Sequence, residues 1–177
     1  IFSFGDADFY GSTGAMRLNK PIVGMATTPS GQGYYLVASD GGIFTFGDAK
    51  FFGSTGNIKL QAAIVGMKPT SSGNGYWMFA EDGGVFTFGD AQYLGSQLQF
   101  ANYYPTIKYI AFDADSVGPN ADNQGYWIAN DWSTVIQPFG AVNPYSYSPF
   151  GRLGGNWYST ERIVGMSRTE YSDGFWV

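Results

Sequence analysis

Self-similarity at a fixed period constrains this chain more than any other feature. The segment Ile1-Phe-Ser-Phe-Gly-Asp-Ala-Asp-Phe-Tyr-Gly-Ser12 returns as Ile43-Phe-Thr-Phe-Gly-Asp-Ala-Lys-Phe-Phe-Gly-Ser54 and as Val85-Phe-Thr-Phe-Gly-Asp-Ala-Gln-Tyr-Leu-Gly-Ser96, with a spacing of 42 residues both times. A second run, Ile22-Val-Gly-Met25, recurs as Ile64-Val-Gly-Met67 and Ile163-Val-Gly-Met166, with Ile107-Lys-Tyr-Ile110 as a worn copy. A third, Gly33-Tyr-Tyr-Leu36, recurs as Gly75-Tyr-Trp-Met78, Gly125-Tyr-Trp-Ile128 and Gly174-Phe-Trp-Val177. A period of this length makes the supersecondary unit, rather than the whole chain, the thing to be folded.

Within a unit the apolar residues alternate in short runs rich in aromatic and β-branched types, broken by Gly and Asp, which is the pattern of strands joined by tight turns. Four strands per unit are predicted, on the Ile-Val-Gly-Met, Gly-Tyr-Trp, Ile-Phe-Thr-Phe and Phe-Phe-Gly-Ser runs. Asp40-Gly41-Gly42 and Asp82-Gly83-Gly84 supply the positive φ of a hairpin between the second and third. About 42 residues in four antiparallel strands is one blade of a β-propeller. The expectation is therefore an all-β chain, with residues 1–177 as a single propeller domain of four blades whose last two units have diverged.

The order of runs suggests how the blades join. Ile1 opens in the third strand of a unit and Val177 lies in the second strand of another, so pairing the N- and C-terminal strands completes a fourth sheet and closes the ring without a free edge. The alternative is a piece of a larger propeller. The Ile-Val-Gly-Met run is expected innermost, because Gly24, Gly66 and Gly165 leave room where blades converge. Tyr35, Trp77, Trp127 and Trp176, and the phenylalanines Phe2, Phe4, Phe44, Phe46, Phe86 and Phe88, are expected to pack between blades.

The string from Gly33 to Ser54 resembles a repeat of secreted and cell-surface proteins of actinobacteria, often found beside hydrolase or cell-wall domains. The likeness is strong over residues 1–96 and weak beyond, where Phe-Gly-Asp-Ala gives way to Pro138-Phe139-Gly140-Ala141. It implies an extracellular, cell-surface repeat module and carries over no ligand and no catalytic residues.

Composition removes several chemistries. The chain has no His and no Cys, so imidazole bases, nucleophilic triads, thiolate metal sites and iron–sulfur clusters are excluded. A net charge of −5 with scattered Lys and Arg offers no footprint for nucleic acid. No apolar run approaches the length of a membrane span, and Ile1–Gly5 does not read as a leader. Glycoside hydrolysis by two carboxylates remains open to such a chain, but the acids form no distinctive pair, and no enzyme activity and no cofactor are expected.

Three groups of polar or aromatic residues remain. Asp6, Asp40, Asp48, Asp82 and Asp90 sit at repeated turns, where carboxylates cap main-chain N–H groups; one shared ion site per blade is the alternative. Between Ile110 and Gly125 the third unit carries 14 residues where the others carry 7. That insert includes Asp113, Asp115 and Asp122, oxygen ligands suited to calcium, although Val117 and Gln124 break the spacing of a calcium loop and a solvated loop is the plainer reading. Finally Tyr103, Tyr104, Trp132, Tyr145, Tyr147, Trp157 and Tyr158 fall in connections rich in Asn, Pro, Ser and Gly. Rings there suit a sugar face or a protein partner. The expected function is a non-catalytic extracellular module that recognises carbohydrate or cell-wall material. The alternative is a structural or assembly protein of a surface layer, filament or multi-protein complex.

Overall fold

The computed structural model describes residues 1–98, 109–116, 124–130, 136–140, 167–168 and 175–176, with side chains described for 1–98 and for Gly125, Tyr126 and Ile128. Among the described residues eleven strands follow one another: β1 (Ile22–Thr27), β2 (Gly33–Ala38), β3 (Ile43–Gly47), β4 (Ile64–Pro69), β5 (Gly75–Ala80), β6 (Val85–Gly89), β7 (Tyr109–Ser116), β8 (Gln124–Asn130), β9 (Ile136–Gly140), β10 (Ser167–Arg168) and β11 (Phe175–Trp176). They form three antiparallel meanders, β1-β2-β3, β4-β5-β6 and β7-β8-β9, and a β10-β11 pair. The register repeats with them. Gly33 lies opposite Gly47, Gly75 opposite Gly89 and Gly125 opposite Gly140, and each first strand shifts register at the same place, after Ile22, Ile64 and Tyr109.

Successive sheets stack through their first strands, β1 on β4, β4 on β7 and β7 on β10. At the first junction a side chain on Gly24 would meet the Gly66 Cα at 3.6 Å, which is the convergence that the glycine of the Ile-Val-Gly-Met run anticipates. The described residues are all-β, in stacked antiparallel sheets.

The core is two layers between sheets. Alternation along β5 decides which side chain enters which layer. Tyr76, Met78 and Ala80 pack with Tyr35 and Val37 of β2 and with Ile64 and Met67 of the adjoining strand β4, and Phe86 and Phe88 border that cluster. Trp77 and Phe79 pack with Val85, Ala91, Tyr126 and Ile128 toward the next sheet. All six residues of β5 are buried, and removing a Met78 or Phe79 side chain from water contributes about 1.5–3 kcal/mol each. Rings meet edge to face: Tyr35 and Tyr76 centroids lie 5.4 Å apart, Phe79 and Tyr126 5.6 Å.

Three expectations change. The first two sheets have three strands rather than four, because the Phe51–Ser54 and Tyr93–Ser96 runs form no ladder; their polar backbone is bonded in another way, described below. Phe2 and Phe4, expected in the core, are exposed, Phe2 by 88%, because Ile1–Phe4 pairs with none of the described strands. The third-unit insert, expected as a loop over 111–124, is ladder over half its length: β7 runs through Ser116 and β8 begins at Gln124, extending the hairpin at both arms. In that sheet Pro138 stands opposite Trp127 on the edge strand β9, where a residue without an N–H is tolerated.

Candidate binding surface

The stretches after β3 and β6 act as straps between sheets. The Tyr76 hydroxyl accepts from the Phe52 N–H (3.2 Å) and donates to the Gly53 carbonyl (2.5 Å), so one side chain of β5 satisfies the groups that a fourth strand would have used. The arrangement recurs upstream, where Tyr34 holds Tyr10 and Gly11, and downstream, where Tyr126 holds Leu94 and Gly95. Gly53 has φ 134°, and a Cβ there would lie 2.6 Å from Phe88 Cδ1. The far end of the strap returns to its own sheet: Thr55 N–H donates to the Gly41 carbonyl and Thr55 Oγ1 to the Asp40 carbonyl, both at 3.3 Å. Gly41 at φ 79° would place a Cβ 1.8 Å from Thr55 Oγ1, so the hairpin glycine serves the close approach as well as the turn.

Four of the five repeated carboxylates are engaged in turn bonds. Asp40 Oδ1 accepts from the Gly42 N–H and Asp82 Oδ1 from the Gly84 N–H, each at 3.0 Å. Asp48 accepts from Thr28 Oγ1 at 2.8 Å and from Ser30 Oγ; Asp90 accepts from Thr70 Oγ1 at 2.8 Å and from Ser72 Oγ. Each of these two acids ties the turn after the third strand to the hairpin between the first and second. The Ser30 hydroxyl, then the Thr28 hydroxyl, holds the Asp48 carboxyl below its ordinary range. Burial pushes the Tyr76 phenol up and the Tyr126 phenol to about 12.

The sequence-derived candidates fall as follows. Tyr103, Tyr104, Trp132, Tyr145, Tyr147, Trp157, Tyr158 and Asp122 lie outside the described residues. Asp113 and Asp115 occupy ladder positions of β7, opposite Trp127 and Gly125. Among the described residues no group of three His, Cys, Asp or Glu side chains is placed to hold a metal ion, and no helix is long and apolar enough to cross a membrane.

A set of rings that sequence reasoning passed over stands at the same place in the three described straps. Phe9, Phe51 and Tyr93 are 57%, 59% and 59% exposed, whereas their neighbours Phe52 and Leu94 pack against the core layers. The signal was present as an aromatic pair in Phe9-Tyr10 and Phe51-Phe52: in an extended strap only one of two successive residues can face inward. Met16 and Ile58, one repeat apart, are also exposed and end equivalent turns, with N–H bonds to Thr13 and Thr55 at 2.9 Å.

No protein-family model matches the chain, and no curated protein is similar to it. Among solved structures it is similar to the β-propeller domain of Cps50 (Swd1) from Myceliophteria thermophila, at 8% identity and a TM-score of 0.48 over 85% of this chain and 46% of that one. The chain thus spans about half the length of that domain.

Proposed function

We propose that this chain is a non-catalytic, extracellular binding module that recognises carbohydrate or cell-wall material. The observation that carries the reading is the exposure of Phe9, Phe51 and Tyr93 beside sheets whose own aromatics are buried or half-buried. Flat apolar rings held on a rigid backbone suit the CH face of a sugar. The repeated acids favour a binding role over catalysis, since Asp40, Asp48, Asp82 and Asp90 serve as turn bonds. The resemblance of Gly33–Ser54 to repeats of actinobacterial surface proteins supports the location, and Tyr103, Tyr104, Trp132, Tyr145, Tyr147, Trp157 and Tyr158 are proposed as a second group of ligand-facing rings. Retention of the purified chain on a glycan array or on peptidoglycan sacculi supports this function; failure on both overturns it.

The finer architecture proposed is a four-bladed ring in which Ile1–Gly5 adds a third strand to β10–β11. The Thr28–Asp48 and Thr70–Asp90 pairings support it. By repeat position the corresponding residues are Thr169 and Asp6, which keep the pairing types, while the third unit has Asp115 and Ala141 in those places. Exposed Phe2, Phe4 and Met25 favour a second reading, in which the same strand completes the sheet of another copy and the protein assembles into chains. Concentration-independent monomers in sedimentation velocity support the closed ring; growing oligomers support assembly.

A further inference from the structure

We infer that Phe9, Phe51 and Tyr93 form a ladder of equivalent ring subsites that seats one extended, uncharged polysaccharide strand across successive sheets. The inference rests on the proposed carbohydrate-binding function and deepens it. The three positions stand one repeat apart and immediately precede a residue, 10, 52 or 94, whose N–H bonds to a tyrosine hydroxyl of the following sheet. That bond pins the strap, so the rings are presented in a fixed and repeated orientation and little ordering entropy is left to lose on binding.

The ligand chemistry follows from what the three subsites share and what they do not. Two carry Phe and one Tyr, so the common element is the ring face and not a hydroxyl. The residues preceding the rings are Asp8, Lys50 and Gln92, negative, positive and neutral in turn, so no charge on a ligand satisfies all three. Sheets packed face to face lie about 10 Å apart, so three successive subsites span about 20 Å. A ligand matching this surface must be long, uncharged, apolar on one face and periodic. A polysaccharide strand has all four properties, whereas protein hot spots cluster at the centre of a compact patch.

The test measures sedimentation of the chain with insoluble chitin, insoluble cellulose and peptidoglycan sacculi, for the wild type, Phe9→Ala, Phe51→Ala, Tyr93→Ala, the triple variant and Tyr93→Phe. Because linked subsites multiply their effects, each alanine is expected to lower affinity for the bound polymer about tenfold and the triple variant by more than about 100-fold, with Tyr93→Phe unchanged. The single variants carry the test if the triple variant does not fold. A folded triple variant that binds as the wild type does overturns the ladder and leaves the carbohydrate function standing. Loss confined to one of the three rings also overturns the ladder. A wild type that sediments with none of the polymers overturns both. Self-association that the triple variant abolishes assigns the rings to a second copy of the chain and overturns the polysaccharide.

Discussion

Tyr76 and Gly53 are joined across the boundary between two sheets, the phenol donating to the glycine carbonyl while accepting from the preceding N–H. A side chain thereby replaces a strand. The bond couples the order of one sheet to that of its predecessor, and the same device at Tyr34 and Tyr126 makes the stack a series of mutually latched units.

Removing the Tyr76 hydroxyl leaves both strap groups without their partner while keeping the buried ring. Tyr76→Phe is expected to destabilise the protein by about 1–3 kcal/mol, the usual consequence of orphaning buried polar groups, with little change in the denaturant m-value. Urea unfolding checks it. An unchanged midpoint would show that water replaces the hydroxyl.

Alkaline pH acts on the same latches. The Tyr126 phenol is raised to about 12, chiefly by burial, above the value near 10 of an unfolded tyrosine. A group with a raised folded pKa contributes stability that is complete below the unfolded value and disappears as pH climbs through the folded one. Stability is therefore expected to fall between about pH 10 and pH 12. Ultraviolet phenolate titration followed alongside circular dichroism should find the late-ionising tyrosines appearing only with unfolding.

The acid limb belongs in part to Asp48. Its folded pKa is lowered by the Ser30 and Thr28 hydroxyls, so its contribution is present above the unfolded carboxylate value and is lost as pH falls through the lower folded one. Asp48→Asn is expected to lower the melting temperature at pH 7 and to flatten its dependence on pH below about 4. A melting temperature that instead rises with added calcium in the wild type, and not in the variant, would reassign Asp48 to an ion site.

Gly53→Ala places a methyl group where Phe88 Cδ1 lies 2.6 Å away, on a backbone at φ 134°. The loss is expected to exceed about 1 kcal/mol. Combining it with Phe88→Ala should relieve only the clash and leave the backbone strain, so a double variant as stable as Phe88→Ala alone would refute the φ argument.

Met25 and Met67 hold the same place in the repeat, yet Met25 is 50% exposed and Met67 6%. Met67→Ala is expected to cost about 2–5 kcal/mol. In the proposed closed ring a fourth sheet covers Met25, and Met25→Ala is expected to cost a comparable amount. A change within about 0.5 kcal/mol, the ordinary effect at an exposed position, leaves that face open and rules out closure.

The strands themselves were legible in the chain. Period-two alternation, the Asp-Gly-Gly hairpins and the 42-residue repeat locate β1 to β6 and the burial of Tyr35 and Trp77. The turn role of Asp40 and Asp82 was legible too, because an Asx bond closes within three residues. The Phe51–Ser54 strap was misread as a strand because its composition suits a ladder; its pairing groups are taken by a tyrosine 24 residues away. Likewise, nothing local to the Ile1–Phe4 run distinguishes exposed Phe2 and Phe4 from half-buried Phe44 and Phe46.

By itself, then, the order of residues determined the unit of folding: backbone preference, side-chain alternation and turn chemistry act over a few positions and repeat whenever the residues repeat. Only tertiary structure decided which copies of a unit are covered, which hydroxyl completes which backbone, and which of two adjacent rings is left facing outward. Those outcomes depend on what stands beside each sheet, and equivalent residues such as Met25 and Met67 meet different neighbours although their local sequences are nearly the same.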